Sequence, residues 1–581
     1  MAQAITPAAL VYAPLAPRAI ACAHDVIRPE TCLHGGAALI KPGASLVLDF
    51  GEELVGVIEL TVEADAATTV ELIEGEDLEE ALLINDPFPP DHWYHQPRDV
   101  LRVNPGGQTL RNQGRRAFRY VNLLVHGPGT LRLHGARAIL EHAPVTDRGA
   151  FLCSDPLLND AWAISQRTIR LCMQGFYEDG VKRDGMLWIG DYRVEFLCAH
   201  HLFADTALAR RSLEMFARCR HANGSLSAVA LDAGGHLYPR ISYLGDLSAH
   251  GGLHEWVLDN YCADFVSSVW EYVLHTGDAA LARTLAPVTR GVLDYLARVD
   301  LGTAVPGRAF ITDNQPETKD WWGSRATLGF QLAAAFRDAA RLADLLGDPT
   351  LATHCRQWQA GRLRETVERF GNPASAAARD DRPDDATRSW HAHAAAFLAG
   401  AIDAAQLRAI YPRLRADPAV RRPMAGFMEF YLLQSWLGAG LVHEALDEMR
   451  SYYGQMLSSG ATTTWELVDR REPGIDHIQP AGRSHCHGWS AGPAFLLPVH
   501  ILGIAPTSPG YRTVDLRPTL GDLAWAHGVA PTPHGDIRVV LTGSSSGSVE
   551  LPEGITATLH LPEREPVTLA AGRHSFSISG S

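Results

Sequence analysis

The chain has 581 residues, which is more than one compact core holds, so its length predicts two or three domains. Hydrophobic residues make up 46% and charged residues 20%, as in ordinary globular proteins, and no apolar run reaches the ~18 residues of a membrane-spanning helix. The net charge of −15 argues against nucleic acid and anionic membrane surfaces as partners, since both repel a negatively charged protein.

Nine cysteines are scattered along the chain and none forms a C-x-x-C pair. Dispersed cysteines in a chain of this size are typical of free buried thiols in a reducing compartment. The first residues, MAQAITPAALVYAPLAPRA, lack the basic segment that precedes the apolar core of a secretory signal. We therefore expect a cytoplasmic protein.

Residues 1–147 have the pattern of β structure. In DFGEELVGVIELTVEA, residues 49–64, Ile58, Leu60 and Val62 alternate with other side chains, and this period of two predicts a strand with one buried face. Further strands are predicted at TTVELIEG, RYVNLLVHG and GTLRLHGARAIL, which turn residues separate. Several short strands at this spacing predict a β-sandwich. We interpret DPFPPDHWYHQPRD, residues 86–99, as a surface loop, with a reach towards a pocket as the alternative.

Residues 148–504 change to the pattern of helices. Ser154 is the predicted N-cap of the first helix, PLLNDAWAISQRTIRLCMQ, and Gly460 is the predicted stop of a later one. Similar runs predict about ten to twelve helices with hairpin-like connections. Residues 505–581 return to short strands cut by glycine and proline, such as TVDLRP, DIRVVLTG and HSFSIS, and predict a small C-terminal β domain.

The segment from Asp179 to Glu195, DGVKRDGMLWIGDYRVE, is dense in charged residues and glycines. Each glycine costs about 1 kcal/mol relative to alanine inside a helix, so we expect an irregular loop between two helices. Such loops often carry functional groups. Trp188 beside Asp184 and Asp191 supplies an apolar ring and charged acceptors, which suits a sugar pocket. A surface loop with solvated charges and a half-buried tryptophan is the equally weighted alternative.

A second irregular segment, ATTTWELVDRREPG, follows the helix that Gly460 ends, and it contains Trp465 and Glu466. Further on, SHCHGWSAGP contains His485 and His487. The pairs His200–His201 and His485–His487 could suggest a metal, but no third ligand lies at zinc-like spacing, so we favour packing for the first pair and sugar hydrogen bonding for the second. No phosphate-binding glycine loop is present either. We expect neither a metal nor a cofactor.

The first loop resembles the signature of the α-L-rhamnosidases of glycoside hydrolase family 78, written D-x-x-x-R-E-x-x-x-W-x-G-D. The matching positions in this chain are Asp179, Arg183, Trp188, Gly190 and Asp191. Asp184 stands where most members carry the glutamate that serves as general acid, and some short members are similar to this chain in using aspartate. The second loop resembles the family motif G-A-T-T-x-W-E, in which the glutamate is the general base; DFGEELVG and GIAPTSPGYRTVDLRPTLGDLAWAHG resemble parts of the family's β domains.

The resemblance implies a multidomain α and β protein with a central (α/α)6 barrel. Its expected domains are an N-terminal β-sandwich at 1–147, the catalytic barrel at 148–504 and a C-terminal β-sandwich at 505–581. The expected reaction is inverting hydrolysis that removes terminal α-L-rhamnose, with Asp184 as acid and Glu466 as base. We expect Glu466 to be ionised and more accessible to water than Asp184. Asp184 needs a raised pKa, for which burial and the charges of Asp179 and Asp191 are candidate causes.

The remaining candidates are expected to contact the sugar. Arg183 and His487 are assigned to sugar hydroxyls, and either Asp259 or Asn260 matches a sugar-binding aspartate. The candidates for the wall around the C6 methyl group, each with core packing as the alternative, are Trp256, Trp321, Trp322 and Trp489. The full predicted binding set is Asp179, Arg183, Trp188, Asp191, Trp256, Asp259, Asn260, Trp322, Trp465 and His487.

Two other functions stay open. One is a different (α/α)6 carbohydrate enzyme, a uronyl hydrolase or a polysaccharide lyase, for which Tyr238, Arg240 and His250 are candidates. The other is a carbohydrate-binding protein that has lost catalysis, because Asp184 replaces the usual glutamate. The expected partner is a rhamnose-containing oligosaccharide or glycoside. The sequence leaves open the group attached to rhamnose and the oligomeric state, with a homodimer as one possibility.

Overall fold

The structure is a computed structural model that describes residues 10–86, 95–230, 257–302, 309, 324–375, 378–379, 388–468, 483–543 and 546–577. Within these residues, strands come first, helices follow, and strands return at the end. No helix in the described part of the chain is long and apolar enough to cross a membrane.

The N-terminal region forms one antiparallel sheet of eight strands, ordered β1-β8-β3-β7-β4-β5, with β2 and β6 also paired to β3. The long strand β3 shifts register between Asp49 and Leu54, where Gly51 adopts a φ of 82° that glycine tolerates best. The sheet folds over one apolar core. Its strands are β1 (Val11–Leu15), β2 (Ala19–Ile27), β3 (Ala38–Ala64), β4 (Thr68–Gly75), β5 (Arg98–Val103), β6 (Gly106–Arg111), β7 (Arg116–His126) and β8 (Leu131–His142). A short helix, α1 (Leu78–Ala81), follows β4.

Twelve further helices lie in the described part of the central region, in alternating outer and inner positions. The outer helices are α2 (Pro156–Cys172), α4 (Ala207–Arg218), α6 (Ala279–Ala297), α8 (Pro349–Phe370), α10 (Ala404–Ala416) and α12 (Val442–Ser458). The inner helices are α3 (Ile189–Phe203), α5 (Asp259–Thr276), α7 (Arg325–Leu346), α9 (Trp390–Leu398), α11 (Gly426–Gly438) and α13 (Pro493–His500). Two short strands, β10 (Arg388–Ser389) and β11 (Val420–Arg421), pair in parallel.

The inner helices form a closed ring. Each inner helix packs against the next along the chain, and α13 packs back against α3. Their side chains are buried almost all round, as in α3 and α11, whereas outer helices such as α8 bury one face only. The N-terminal ends of four inner helices meet, because Trp188 contacts Tyr261, Tyr261 contacts Phe427, and Phe427 stacks on Trp489 just before α13. This end of the ring carries the loops of interest.

The C-terminal region has two sheets. A four-stranded sheet has the order β12-β13-β17-β18 and a five-stranded sheet the order β19-β16-β15-β14-β9. The strands are β9 (Ala150–Cys153), β12 (Ile504–Pro506), β13 (Thr513–Leu516), β14 (Trp525–Thr532), β15 (Gly535–Thr542), β16 (Ser546–Leu551), β17 (Thr556–Leu559), β18 (Val567–Leu569) and β19 (Gly572–Phe576). Strand β9 precedes the barrel in the chain but pairs with β14, which follows the barrel. The same sheet therefore contains the segment before the first barrel helix and a segment after the last one.

The predicted fold class is confirmed: an (α/α)6 barrel lies between an N-terminal β-sandwich and a C-terminal β domain. Gly460 follows α12 with a φ of 83°, as expected of a helix stop. The predicted N-cap Ser154 is wrong, because Asp155 accepts the backbone N–H groups of Leu157 and Leu158. Ser154 instead accepts a hydrogen bond from the backbone of Ala524. The domain boundaries at 147/148 and 504/505 stay predictions.

Candidate active site

The irregular loop runs from Asp179 to Trp188 and is shorter than predicted, because α3 begins at Ile189 and contains Gly190 and Asp191 in its first turn. The Asp179 carboxylate organises this loop, since its two oxygens accept the backbone N–H groups of Asp184 (3.2 Å) and Met186 (2.9 Å). The peptide between Arg183 and Asp184 is cis. Gly190 is required by close packing, because a Cβ there would lie 2.3 Å from the ring of Tyr261.

The second loop lies against the first. Residues 180 and 487 form an antiparallel bridge, and the backbone N–H of Gly488 donates to the carbonyl of Asp179 at 2.7 Å. Glu466 is fixed through its backbone, because its N–H donates to Ser484 and its carbonyl accepts the indole N–H of Trp489 at 2.9 Å. The two sequence segments singled out above are therefore parts of one site.

Two arginines hold the Glu466 carboxylate. Nη1 of Arg483 lies 2.6 Å from it and Nη2 of Arg183 lies 3.2 Å from it, while the backbone N–H of Ser484 donates at 3.1 Å. Burial alone would raise the pKa of Glu466, but the charges of Arg183 and Arg483 outweigh burial and hold that pKa well below its ordinary range. Glu466 is thus kept ionised.

Asp184 lies near the same guanidinium, with Oδ1 3.9 Å from Nε of Arg183. Burial raises the pKa of Asp184, and the negative charges of Glu466 and Asp191 add to it, against the opposing effect of Arg183. The expected order of exposure is wrong: the Asp184 side chain is 21% exposed and that of Glu466 only 6%. Glu466 stays ionised because of its arginines, not because of contact with water.

A second acidic group lies beside this pair. Asp191 accepts from the Tyr261 hydroxyl at 3.3 Å and lies 3.2 Å from Nε2 of His487. Burial raises the pKa of Asp179 well above its ordinary value, and the charges of Asp184 and Asp191 raise it further. Ligand atoms of Asp179, Asp191 and His487 lie within 4.8 Å of one another, a spacing that could suit a cation. The hydrogen bonds described here already engage both Asp179 oxygens and Nε2 of His487, so the set fits a cation poorly.

Aromatic rings surround these polar groups. Trp188, half-buried, packs edge-on against Tyr261 at 6.3 Å. Trp465 stacks on His485 at 4.5 Å, and His487 lies 4.3 Å from Trp489. Apolar ring faces beside charged acceptors are the arrangement that we expected around a sugar.

The other predicted residues have mixed outcomes. Asp259 and Asn260 are buried in the first turn of α5, where the Tyr295 hydroxyl donates to Asp259 at 2.5 Å. Trp256 and Trp322 lie outside the described residues, as do Tyr238, Arg240 and His250, the candidates for a lyase, so these predictions are untested. Most of the segment 86–99 also lies outside the described residues.

The histidine pair at 200 and 201 belongs elsewhere. His200 and His201 end α3, at the opposite end from Ile189, and both pack with His275 of α5. Nδ1 of His201 lies 2.9 Å from the Leu197 carbonyl. Burial lowers the pKa of His201 to about 4. These contacts are those of core packing.

Sequence reasoning missed Arg483 and Ser484, which hold Glu466. The available signal was weak: an arginine directly before S-H-C-H-G-W. It also missed that Arg183 pairs with Glu466, because a separation of 283 positions leaves no local pattern.

Residues 146–303 match the family model of the bacterial alpha-L-rhamnosidase 6 hairpin glycosidase domain, and residues 503–575 match that of the bacterial alpha-L-rhamnosidase C-terminal domain. An alpha-L-rhamnosidase of Streptomyces avermitilis is 24% identical over 558 residues, which cover 90% of this chain and 49% of the relative. One of Alteromonas sp. is 33% identical over 189 residues, or 30% of this chain and 20% of the relative. The chain thus spans about half the length of the Streptomyces relative, and less of the other.

Solved structures are similar as well. A family 78 rhamnosidase of Bacillus sp. GL1 has a TM-score of 0.74 and 27% identity, with 90% of this chain and 53% of that chain covered. A rhamnosidase from Klebsiella oxytoca with rhamnose bound has a TM-score of 0.71 and 23% identity, with 86% of this chain and 97% of that chain covered. Because the Klebsiella rhamnosidase is only 23% identical, its similarity shows the fold alone.

Proposed function

We propose that the chain is an α-L-rhamnosidase of glycoside hydrolase family 78 and that it hydrolyses rhamnosides by an inverting mechanism. Asp184 is the general acid and Glu466 the general base in this proposal. The observation that carries it is the opposed protonation of two carboxyl groups around one guanidinium: the pKa of Asp184 is raised and that of Glu466 is lowered.

Glu466 is suited to take a proton from water. Its carboxylate is ionised, oriented by Arg183, Arg483 and the Ser484 backbone, and fixed through the backbone hydrogen bonds of its own residue. A water beside it, on the face of the sugar opposite the leaving group, becomes the nucleophile as Glu466 removes its proton.

Asp184 is suited to give a proton to the leaving oxygen. Its pKa is raised chiefly by burial, so it holds its proton at higher pH than an ordinary aspartate. An inverting pair needs its carboxyl groups ~6.5–9.5 Å apart, against the ~5–5.5 Å of a retaining pair, and this wider separation is part of the proposal. This spacing leaves room for the attacking water.

The neighbouring groups fit the sugar itself. Asp179, Asp191 and His487 are buried acceptors and donors beside the acid, and Arg183 supplies a cation in reach of hydroxyls. Trp188 and Trp465 supply apolar faces for C–H groups. The proposed substrates are rhamnose-containing oligosaccharides or glycosides. We also propose a cytoplasmic location, which the dispersed cysteines, none of them in a C-x-x-C pair, support.

The test is hydrolysis of an aryl α-L-rhamnoside followed by NMR of the freshly released sugar. Inversion predicts β-L-rhamnose first, with the α anomer appearing later by mutarotation. Glu466→Gln should abolish turnover, whereas Glu448→Gln, which changes an equally buried glutamate on the outer helix α12, should leave it intact. Initial release of the α anomer would exclude inversion. Absence of turnover by the folded wild-type protein would refute the activity.

A further inference from the structure

Glu76 of the N-terminal sheet domain contacts both loops of the proposed active site. It lies between β4 and α1, and its side chain is fully buried. Oε2 of Glu76 lies 2.8 Å from Nζ of Lys182 and accepts the backbone N–H of His485 at 2.7 Å. Oε1 lies 3.4 Å from the hydroxyl of Ser484. One carboxylate therefore joins a residue of each loop.

Each residue that Glu76 contacts lies close to a proposed catalytic carboxyl group, either in sequence or through a hydrogen bond. Lys182 directly precedes Arg183 and Asp184 in the first loop. Ser484, next to His485, donates its backbone N–H to the Glu466 carboxylate at 3.1 Å. A shift of Glu76 would therefore move the acid and the base together.

The surroundings keep Glu76 in place. Glu80 of α1 accepts the backbone N–H of Glu76 at 2.8 Å and also lies 3.0 Å from Nζ of Lys182. Lys182 is only 4% exposed and its Nζ lies within 3.0 Å of both glutamates, so its charge is balanced inside the protein and not by solvent. The contact between the sheet domain and the barrel is thus a buried ionic one, and its geometry is set by hydrogen bonds with a definite direction.

We propose that Glu76 is a positioning residue that aligns Asp184 and Glu466 across the substrate, so that the N-terminal β-sandwich forms part of the catalytic apparatus. This inference rests on the proposed function, because it assumes that these two carboxyl groups are the acid and the base. Misplacement of catalytic groups by about 1 Å can cost on the order of 10²-fold in rate, so a positioning role has a measurable effect.

The test compares Glu76→Gln with Glu74→Gln. Glu74 lies on β4, is also buried, and has Asp99 and Arg116 of the same sheet domain as its charged neighbours, so it is a matched control. The kcat of each variant is measured with a nitrophenyl rhamnoside, whose leaving group needs little protonation, and with methyl α-L-rhamnoside, whose leaving group needs it. Glu76→Gln should lower kcat at least tenfold on the methyl glycoside and less on the nitrophenyl glycoside, with KM changed little. Glu74→Gln should match wild type.

A purely structural role gives a different result. It would reduce the folded fraction and so lower both rates by the same factor, which would overturn the proposal, as would wild-type kinetics on both substrates. If Glu76→Gln does not fold, Glu76→Asp keeps the charge and shortens the side chain, and the same unequal loss is expected.

Hydrogen exchange separates this proposal from the proposed function. Backbone amides of residues 178–188 and 483–490 should exchange faster in Glu76→Gln than in wild type, and at the wild-type rate in Glu74→Gln. This readout needs no substrate, so it decides whether Glu76 holds both loops even if the wild-type protein hydrolyses no rhamnoside. Unchanged exchange in both segments would overturn the positioning role.

Discussion

Replacement of Arg483 by methionine should raise the pKa of Glu466, the proposed base, so that the base becomes protonated at a higher pH than in wild type. Arg483 gives the shortest contact to the Glu466 carboxylate, at 2.6 Å, while Arg183 at 3.2 Å and the Ser484 backbone would stay in place. A cation at such a distance lowers the pKa of a carboxyl group by about 1–3 units. Its removal should therefore raise the pKa of Glu466 by about that amount.

A protonated Glu466 cannot accept a proton from water, so activity falls as pH drops through its pKa. In the wild-type protein this acidic limb should lie at very low pH, because the pKa of Glu466 is held well below its ordinary range. In Arg483→Met the limb of kcat/KM should move up by about 1–3 pH units, while the basic limb, which reports Asp184, stays near its place.

The assay is the initial rate on an aryl α-L-rhamnoside as a function of pH, with aliquots returned to pH 7 to correct for irreversible loss. Arg422→Met is the matched control, because Arg422 pairs at 2.6 Å with Glu448, which is 5% exposed, away from the site. Its pH profile should match wild type. An unmoved acidic limb in Arg483→Met, or a shift of the basic limb alone, would refute the assignment of Glu466 as the base.

Three further predictions concern single side chains. Asp184→Asn should lower kcat by about 10²–10⁴ on unactivated rhamnosides and less on activated ones, and near-wild-type turnover of methyl α-L-rhamnoside would remove the acid role. Trp188→Ala should weaken L-rhamnose binding about tenfold in a calorimetric titration, and an unchanged affinity would make Trp188 a core residue. The pKa of His201 is about 4 in the folded protein and ~6.5 in the unfolded chain. Its contribution to the free energy of unfolding is therefore fully present above pH ~6.5 and is lost as the pH falls towards 4. As the pH falls from 7 to 4, the free energy of unfolding of His201→Leu, measured in urea, should therefore rise by about 3 kcal/mol relative to that of wild type. Stability curves of the two proteins that run parallel over this range would contradict this.

Local patterns predicted much of the fold. Strand β4 follows the bounds of its apolar alternation, and the helix that Gly460 ends stops where the sequence indicated. The outer helices α8 and α10 have a weak periodic signal, because each buries a narrow stripe of side chains among many charged ones. Packing against an inner helix, as α8 packs against α7, and not periodicity, defines these two helices.

The candidate site also has a part that local sequence patterns predict and a part that depends on long-range contacts. The two loops were recognisable because each is a compact motif, and Asp184, Glu466 and Arg183 do lie together. The protonation of Glu466 depends on Arg483, and the placement of both loops depends on Glu76. These contacts join residues far apart in the chain, so no window of sequence contains them.

The closed ring has a consequence for biosynthesis. Its closing contact joins α3, the first inner helix to be made, to α13, the last, and β9 finds its partner β14 only after that. On the ribosome, the apolar side chains of α3 that pack against α13 stay exposed until α13 has emerged, which is the condition that makes nascent proteins depend on chaperones. A chain that terminates before residue 525 would leave β9 as an open edge, ready to pair with another molecule.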